Sequence, residues 1–255
     1  MTNTCKTNEP NFVWQSASQT NRGNVRQYNE DAFIARNDIC LWAVADGMGG
    51  HKAGDIASQL IIKMLAQLNA RANLSSYVDA VDDMLIEANH QLRTLSKRKY
   101  NNHTIGSTVA ALVAHERHIA YLWAGDSRVY RIRDTTITQL TRDHSEVQNM
   151  VDQGLIQAED AETHPSANII TRALGAADTL HLSVGVEETQ NNDIYIICSD
   201  GLYRDISDQE LFDISLNSSP NQDVSEICDN MMKLALSREA KDNVTTIIVK
   251  STLNL

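Results

Sequence analysis

Strand-like and helix-like stretches come in runs in this chain, and they do not alternate. Apolar, β-branched segments at 12–17, 32–35 and 39–45 form one group, and 107–114, 118–124 and 129–133 form another. Two late segments, 194–199 and 244–250, are rich in Ile, Val and Thr, as strands usually are. Between them lie helical patterns. Residues 56–68 read as one helix, and Val78, Val81, Leu85, Ala88, Leu92 and Leu95 repeat at steps of three and four, which marks one apolar helix face. Val224, Ile227, Cys228, Met231 and Leu234 mark another, with Ser219-Pro220-Asn221-Gln222 as its expected start. Ser207-Asp208-Gln209-Glu210 is a capping box for a short helix through Phe212. This grouping predicts an α+β layered fold with largely antiparallel sheets, and not a βαβ repeat. Only Gly125-Asp126-Ser127-Arg128 separates 118–124 from 129–133, a spacing that predicts an antiparallel hairpin. Residues 143–175 are polar, with helical patches at 147–151 and around Glu159. They are expected to form an insertion lying over a surface.

Charge removes several functions. The chain has 33 acidic and 22 basic residues in 255, a net charge of -11. That excess disfavours nucleic acid and anionic membranes as partners, because both require clustered Lys and Arg. Apolar and charged fractions of 42% and 22% are those of a globular protein. There is no repeat, low-complexity tract or Pro/Gly linker, so one domain over 1–255 is expected, with a polar tail over about 1–11. No apolar run approaches the ~18–20 residues of a membrane span, and the N-terminus lacks a signal-peptide core. A cytoplasmic location is the expectation. Cys5, Cys40, Cys198 and Cys228 are widely spaced and read as reduced, buried thiols.

The informative pattern is where the acids fall. The run 41–45 leads straight into Asp46-Gly47, 119–124 into Gly125-Asp126, and 194–199 into Asp200-Gly201. Asp242-Asn243 precedes 244–250, and Glu30-Asp31 precedes 32–35. In antiparallel sheets one strand's end neighbours the next strand's start, so all these sites fit one edge. One acid beside a glycine is ordinary turn chemistry. Several on one edge are different, because carboxylates ~5 Å apart repel by roughly 3 kcal/mol at an effective dielectric near 20. Such a cluster must be protonated or hold cations. All-oxygen donors favour Mg²⁺ or Mn²⁺. Asp46-Gly47-Met48-Gly49-Gly50-His51 fits neither GxGxxG nor GxxxxGK[ST], and no GxSxG, HExxH or zinc spacing occurs.

Taken in order, these segments resemble the bacterial branch of the PP2C-type (PPM) metal-dependent protein serine/threonine phosphatases. The resemblance runs through 26–31 (Arg26-Gln27-Tyr28-Asn29-Glu30-Asp31), the Asp46–His51 signature, Gly106-Ser107-Thr108 and Gly125-Asp126-Ser127-Arg128. It continues through 141–145, 170–175, Ser199-Asp200-Gly201-Leu202 and Lys241-Asp242-Asn243-Val244-Thr245, covering about 14–250. The run 41–55 also looks like phosphatases associated with type VI secretion clusters.

The resemblance implies a β-sandwich flanked by helix layers, with a metal centre at the sandwich edge. It places Asp46 as the ligand bridging two Mn²⁺ or Mg²⁺ ions and the Gly47 carbonyl as another ligand, completed by Asp200 and Asp242. Asp126 with Asp200 would hold a third, weaker ion. Asp31 and Glu30 would act through water, and Arg26 would bind phosphate. It further implies that 143–175 is a mobile flap, and that water activated at the two metals hydrolyses phosphoserine and phosphothreonine with no phospho-enzyme. The implied partners are phosphoproteins and a cognate Ser/Thr kinase, and the implied state is a monomer. Animal-type members carry His where Met48 stands, so the general acid here is His51 or a water. The alternative reading is an inactive, phosphatase-like binding module, which would be expected to lack one of the acids.

Overall fold

The computed structural model describes residues 11–49, 53–101, 103–216 and 223–254. Two antiparallel sheets lie face to face. One has strands β1 (Asn11–Asn21), β7 (Arg128–Arg133), β8 (Thr136–Gln139), β10 (Ile194–Cys198) and β11 (Val244–Asn254), in the order β1-β11-β10-β7-β8. The other has β2 (Asp31–Arg36), β3 (Leu41–Met48), β5 (Val109–His115), β6 (His118–Ala124) and β9 (Ser183–Glu188), in the order β2-β3-β5-β6-β9. The short β4 (Gly106–Ser107) adds to β3. Helices α1 (Ala53–Leu65) and α2 (Leu74–Lys99) cover the second sheet. Helices α4 (Asp200–Tyr203), α5 (Asp208–Leu216) and α6 (Val224–Ser237) cover the first. Helix α3 (Glu146–Asp152) belongs to the insertion. No helix among the described residues is long and apolar enough to cross a membrane.

The central strands are buried on both faces, which explains their continuous apolar character. Along β3, Leu41, Ala43 and Ala45 face α1 and α2, while Trp42 and Val44 face the other sheet. Along β10, Ile194, Ile196 and Cys198 face the α4–α6 layer, while Tyr195 and Ile197 point between the sheets. This is the period-two alternation of a pleated strand. Trp42 is fully buried in the inter-sheet layer, with its indole N–H donated to Asn37 Oδ1 at 2.8 Å and its ring tilted against Trp14 at 5.6 Å. Trp42→Ala is expected to cost about 3–5 kcal/mol, read as a lower midpoint in chemical denaturation.

Four expectations are corrected. Strands β6 and β7 do not form a hairpin: β6 pairs with β5 and β9, and β7 with β10 and β8. The short connection crosses from one sheet to the other, and Gly125 makes the crossing at φ +111. A Cβ there would lie 2.6 Å from the Thr108 side chain. Helix α1 starts at Ala53 and ends at Leu65, earlier at both ends than 56–68. Helix α6 starts at Val224, with Asp223 as N-cap accepting from the Ser225 amide; residues Ser219–Gln222 lie outside the described residues. Cys40 is partly exposed in the β2–β3 turn at φ +52, whereas Cys198 and Cys228 are buried as expected. Cys5 lies outside the described residues.

Other local readings hold. Ser207 and Glu210 form the reciprocal capping box, with amide-to-side-chain distances of 3.0 and 3.4 Å, and α5 continues to Leu216. The insertion after β8 carries α3 and a 3-10 turn at Ala158–Asp160. It closes on itself through Glu146 N to Ile169 O (2.9 Å) and Thr171 N to His144 O (2.8 Å).

Candidate active site

Strand register creates the acidic edge. Asp31 opens β2 and pairs directly with Asp46 near the end of β3. Asp200 opens α4 immediately after β10, and Asp242 sits just before β11, the partner of β10. Asp126 lies in the sheet-to-sheet crossing. Arg26, Glu30, Asp46, Gly47, Asp126, Asp200 and Asp242 all line one cleft of about 1130 Å³. Asp31 stands behind them, buried. The edge expected from the sequence is therefore present. His51 lies outside the described residues.

Burial dominates the electrostatics. It pushes the Asp31 carboxyl up to about 7, against the hydrogen bonds from Thr245 and Ser199, and nearby Asp200 and Asp242 add repulsion. Asp126 is also raised to about 7, by burial and then by repulsion from Asp200 and Asp143. Asp46 is held well above the ordinary carboxylate range by burial and by Asp31, Asp200 and Asp126. Asp200 is raised by burial, partly offset by Arg204, and Glu30 by burial, partly offset by the Gly54 amide.

Among the described residues, Asp31 Oδ1, Asp126 Oδ1 and Asp200 Oδ1 are buried with no hydrogen-bond partner. A buried acceptor left unsatisfied costs about 1–3 kcal/mol, and more if charged. The residues thus fit the donor set of a hard divalent cation: oxygens only, short of partners and mutually repelling. They stand around an open cleft; among the described residues, no three His, Cys, Asp or Glu side chains already converge on one point.

Several residues without an assigned role in the sequence turn out to build this site. Ser199 Oγ and Thr245 Oγ1 donate to Asp31 Oδ2 at 2.8 and 2.6 Å, linking the two sheets beneath the cleft. Thr108 Oγ1 accepts the Asp46 amide (3.2 Å) and meets Ser127 Oγ at 2.7 Å, so one hydroxyl pair joins the Asp46 and Asp126 segments. Asn243 holds the loop after β1: its Nδ2 donates to Arg22 O and Tyr28 O, and its Oδ1 accepts the Glu30 amide at 2.7 Å. That loop presents Arg26, whose Nη2 reaches Asp242 Oδ2 at 2.6 Å with its side chain 54% exposed.

Gly47 lacks a side chain for a reason the sequence did not show. A Cβ there would sit 2.1 Å from Gly54 O and 2.6 Å from Glu30 O. Gly54 is equally tight, 2.6 Å from Gly47 O. The first turn of α1 is thereby pressed onto the Asp46-Gly47 segment.

The insertion borders the cleft with Asn168 and Ile170. Its root is fixed by Arg128, which grips Asp143 at 2.8–3.1 Å and lies 3.5 Å from the centre of the Tyr203 ring. His144 stacks on Trp123 at 5.7 Å and accepts the Gly125 amide. Burial, and then Arg172, lower its pKa to about 4, so it is neutral near pH 7 and serves as an anchor.

Fold and site together define a chain with acids gathered at the edge of a helix-flanked β-sandwich. Residues 18–245 match the protein phosphatase 2C family, and the chain belongs to it. A Mycobacterium tuberculosis protein named serine/threonine protein phosphatase PstP is 34% identical over 237 residues, covering 93% of this chain and 45% of its own length. The chain therefore spans about half of that relative. The solved structure of PppA, described as a key regulatory component of the type VI secretion system in Pseudomonas aeruginosa, superposes with a TM-score of 0.85. It is 36% identical, with 94% of this chain and 100% of that one covered. A structure of the PstP catalytic domain in complex with two manganese ions gives a TM-score of 0.84 at 32% identity, covering 94% and 99%.

Proposed function

We propose that this chain hydrolyses phosphoserine and phosphothreonine in proteins at the acidic cleft, using two Mn²⁺ or Mg²⁺ ions. The observation that carries the proposal is the set of buried carboxylates from separate strand ends with oxygens lacking partners among the described residues. In this reading Asp46, the Gly47 carbonyl, Asp200 and Asp242 hold the two ions. Asp126 with Asp200 offers a weaker third position, and Asp31 and Glu30 act through water. The cations, when bound, supply Lewis-acid activation of water and offset charge at phosphorus.

The chain's own residues do the rest. Arg26 stands at the mouth of the cleft, where its guanidinium can fork onto two phosphoryl oxygens. Its pairing with Asp242 holds it in place before substrate arrives. Asn243 fixes the loop that carries it, and Ser199 and Thr245 keep Asp31 oriented. The leaving alkoxide needs a proton, from His51 or from water.

The substrates on this reading are phosphoproteins made by a Ser/Thr kinase that the enzyme opposes. The likeness to PppA supports a place in type VI secretion control. Purified protein with Mn²⁺ is expected to release phosphate from a phosphothreonine peptide. No release at any Mn²⁺ or Mg²⁺ concentration would overturn the proposal. Arg26→Ala is expected to lower kcat/KM by about ten- to a hundredfold, the worth of one charged hydrogen-bonding group. Most of the loss should appear in KM, measured with the same peptide.

A further inference from the structure

Arg204 stands one turn after Asp200, where its guanidinium makes three contacts. Nη2 lies 3.0 Å from Asp200 Oδ2 and 3.9 Å from Asp126 Oδ2. Nη1 donates to Asn168 Oδ1 on the returning limb of the flap. Asp126 is 3% exposed, and its Oδ1, like that of Asp200, has no partner among the described residues. This carboxylate pair is thus half satisfied by a side-chain cation and half open.

We propose that Arg204 is the resident counter-ion of the Asp126–Asp200 pair and ties the flap to it through Asn168. A divalent ion at that pair and an attached flap then exclude each other. The proposal rests on the cation-binding reading of the cleft, and it fixes which cation serves this part of it.

A guanidinium already lowers the field of the pair, and a second cation beside it is repelled. An arriving ion must push the guanidinium outward. Arg204 has room to move, since its side chain is 32% exposed at the cleft wall. Moving it breaks the bond to Asn168. The root of the flap stays fixed, because Arg128–Asp143 and His144–Thr171 do not involve Arg204. Ile169 and Ile170 also stay paired with Glu146 and Ser145, so the released part is the limb near 160–168, which keeps a 3.7 Å pair between Glu162 and Arg128. Arg204 acts through Asp126, Asp200 and Asn168, so it is a positioning residue.

The test uses the metal-stripped protein with Mn²⁺ as probe. Binding is followed by calorimetry and by spin-resonance counting of free Mn²⁺, and flap attachment by amide hydrogen exchange over 160–168. In the wild type, exchange should be slow without Mn²⁺ and should speed up as the weakest Mn²⁺ site fills. Arg204→Ala should bind that weakest ion about tenfold or more tightly, the scale on which a neighbouring charge acts. Its flap should exchange fast with or without Mn²⁺. Asn168→Ala should show the fast flap with a smaller change in Mn²⁺ affinity than Arg204→Ala.

Unchanged Mn²⁺ binding in Arg204→Ala would overturn the proposal, as would wild-type flap exchange that ignores Mn²⁺ saturation. If Arg204→Ala does not fold, the wild-type titration and Asn168→Ala decide the matter. A wild type that binds Mn²⁺ yet hydrolyses no phosphopeptide removes the phosphatase reading and leaves these outcomes standing.

Discussion

Replacing Asp46 by Asn should lower phosphate release by at least about a hundredfold and leave the metal-free fold intact or more stable. Both halves follow from its position. Asp46 lies directly across from Asp31 and feels repulsion from Asp31, Asp200, Asp126 and Asp242. Asn keeps the shape and cannot ionise, so the burial and repulsion that disfavour a carboxylate here no longer act, and the thermal midpoint of metal-stripped protein should hold or rise. The same change removes a carboxylate from the donor set that would hold cations. Even outer groups around a metal cost 10–100-fold when lost, and electrostatic stabilisers cost 10²–10³-fold. A variant with near wild-type turnover would remove Asp46 from the mechanism. A variant that unfolds would show that its charge is structurally satisfied, contrary to the electrostatics described.

Metal-stripped protein should lose stability as pH rises, and added metal should offset that loss. Burial raises Asp31 and Asp126 from 3.8 to about 7 in the folded state. Between about pH 4 and 7 the folded chain therefore binds more protons than the unfolded chain. Stability from these groups is fully present below the unfolded value and is lost as pH rises through 7. Metal-stripped protein should melt at a lower temperature at pH 8 than at pH 5.5. With saturating Mn²⁺ the cation replaces the protons, and it binds best when the carboxylates are ionised. A ligand at a hundred times its Kd adds about 2.7 kcal/mol, so the midpoint at pH 8 should then rise above that of the stripped protein. Melting curves at the two pH values, with and without Mn²⁺, check this. A stripped protein more stable at pH 8 would contradict it.

The edge of acids was legible because each acid ends or begins an apolar run, and antiparallel pairing brings such ends together. The central strands were legible for the same reason: runs like Ile194–Cys198 are buried on both faces. Strands β8 and β9 were not. Their inner and outer residues alternate between half-buried and exposed, and in β9 two of the three exposed members, Val184 and Val186, are apolar. The missed sheet crossing at Gly125 has another cause. A short connection is compatible with a hairpin or a corner, and the choice lies in which distant strands β6 and β7 pair with, β5 and β9 for one and β10 and β8 for the other.

Of the site, the acids and Arg26 could be read, but the hydroxyls could not. Ser199, Thr245 and Thr108 look like ordinary β-strand residues, and their work depends on contacts across 168, 214 and 62 positions. Arg204 offered one signal, its spacing of four from Asp200. Its reach to Asp126 and Asn168 is a property of the fold.

The most direct measurement is a Mn²⁺ titration of metal-stripped protein with phosphate release from a phosphothreonine peptide recorded at each point. The account predicts no release before Mn²⁺ is added, a rise that follows binding, and a return to zero on chelation. Full turnover by the stripped protein, or no turnover when Mn²⁺ is saturating, would contradict it.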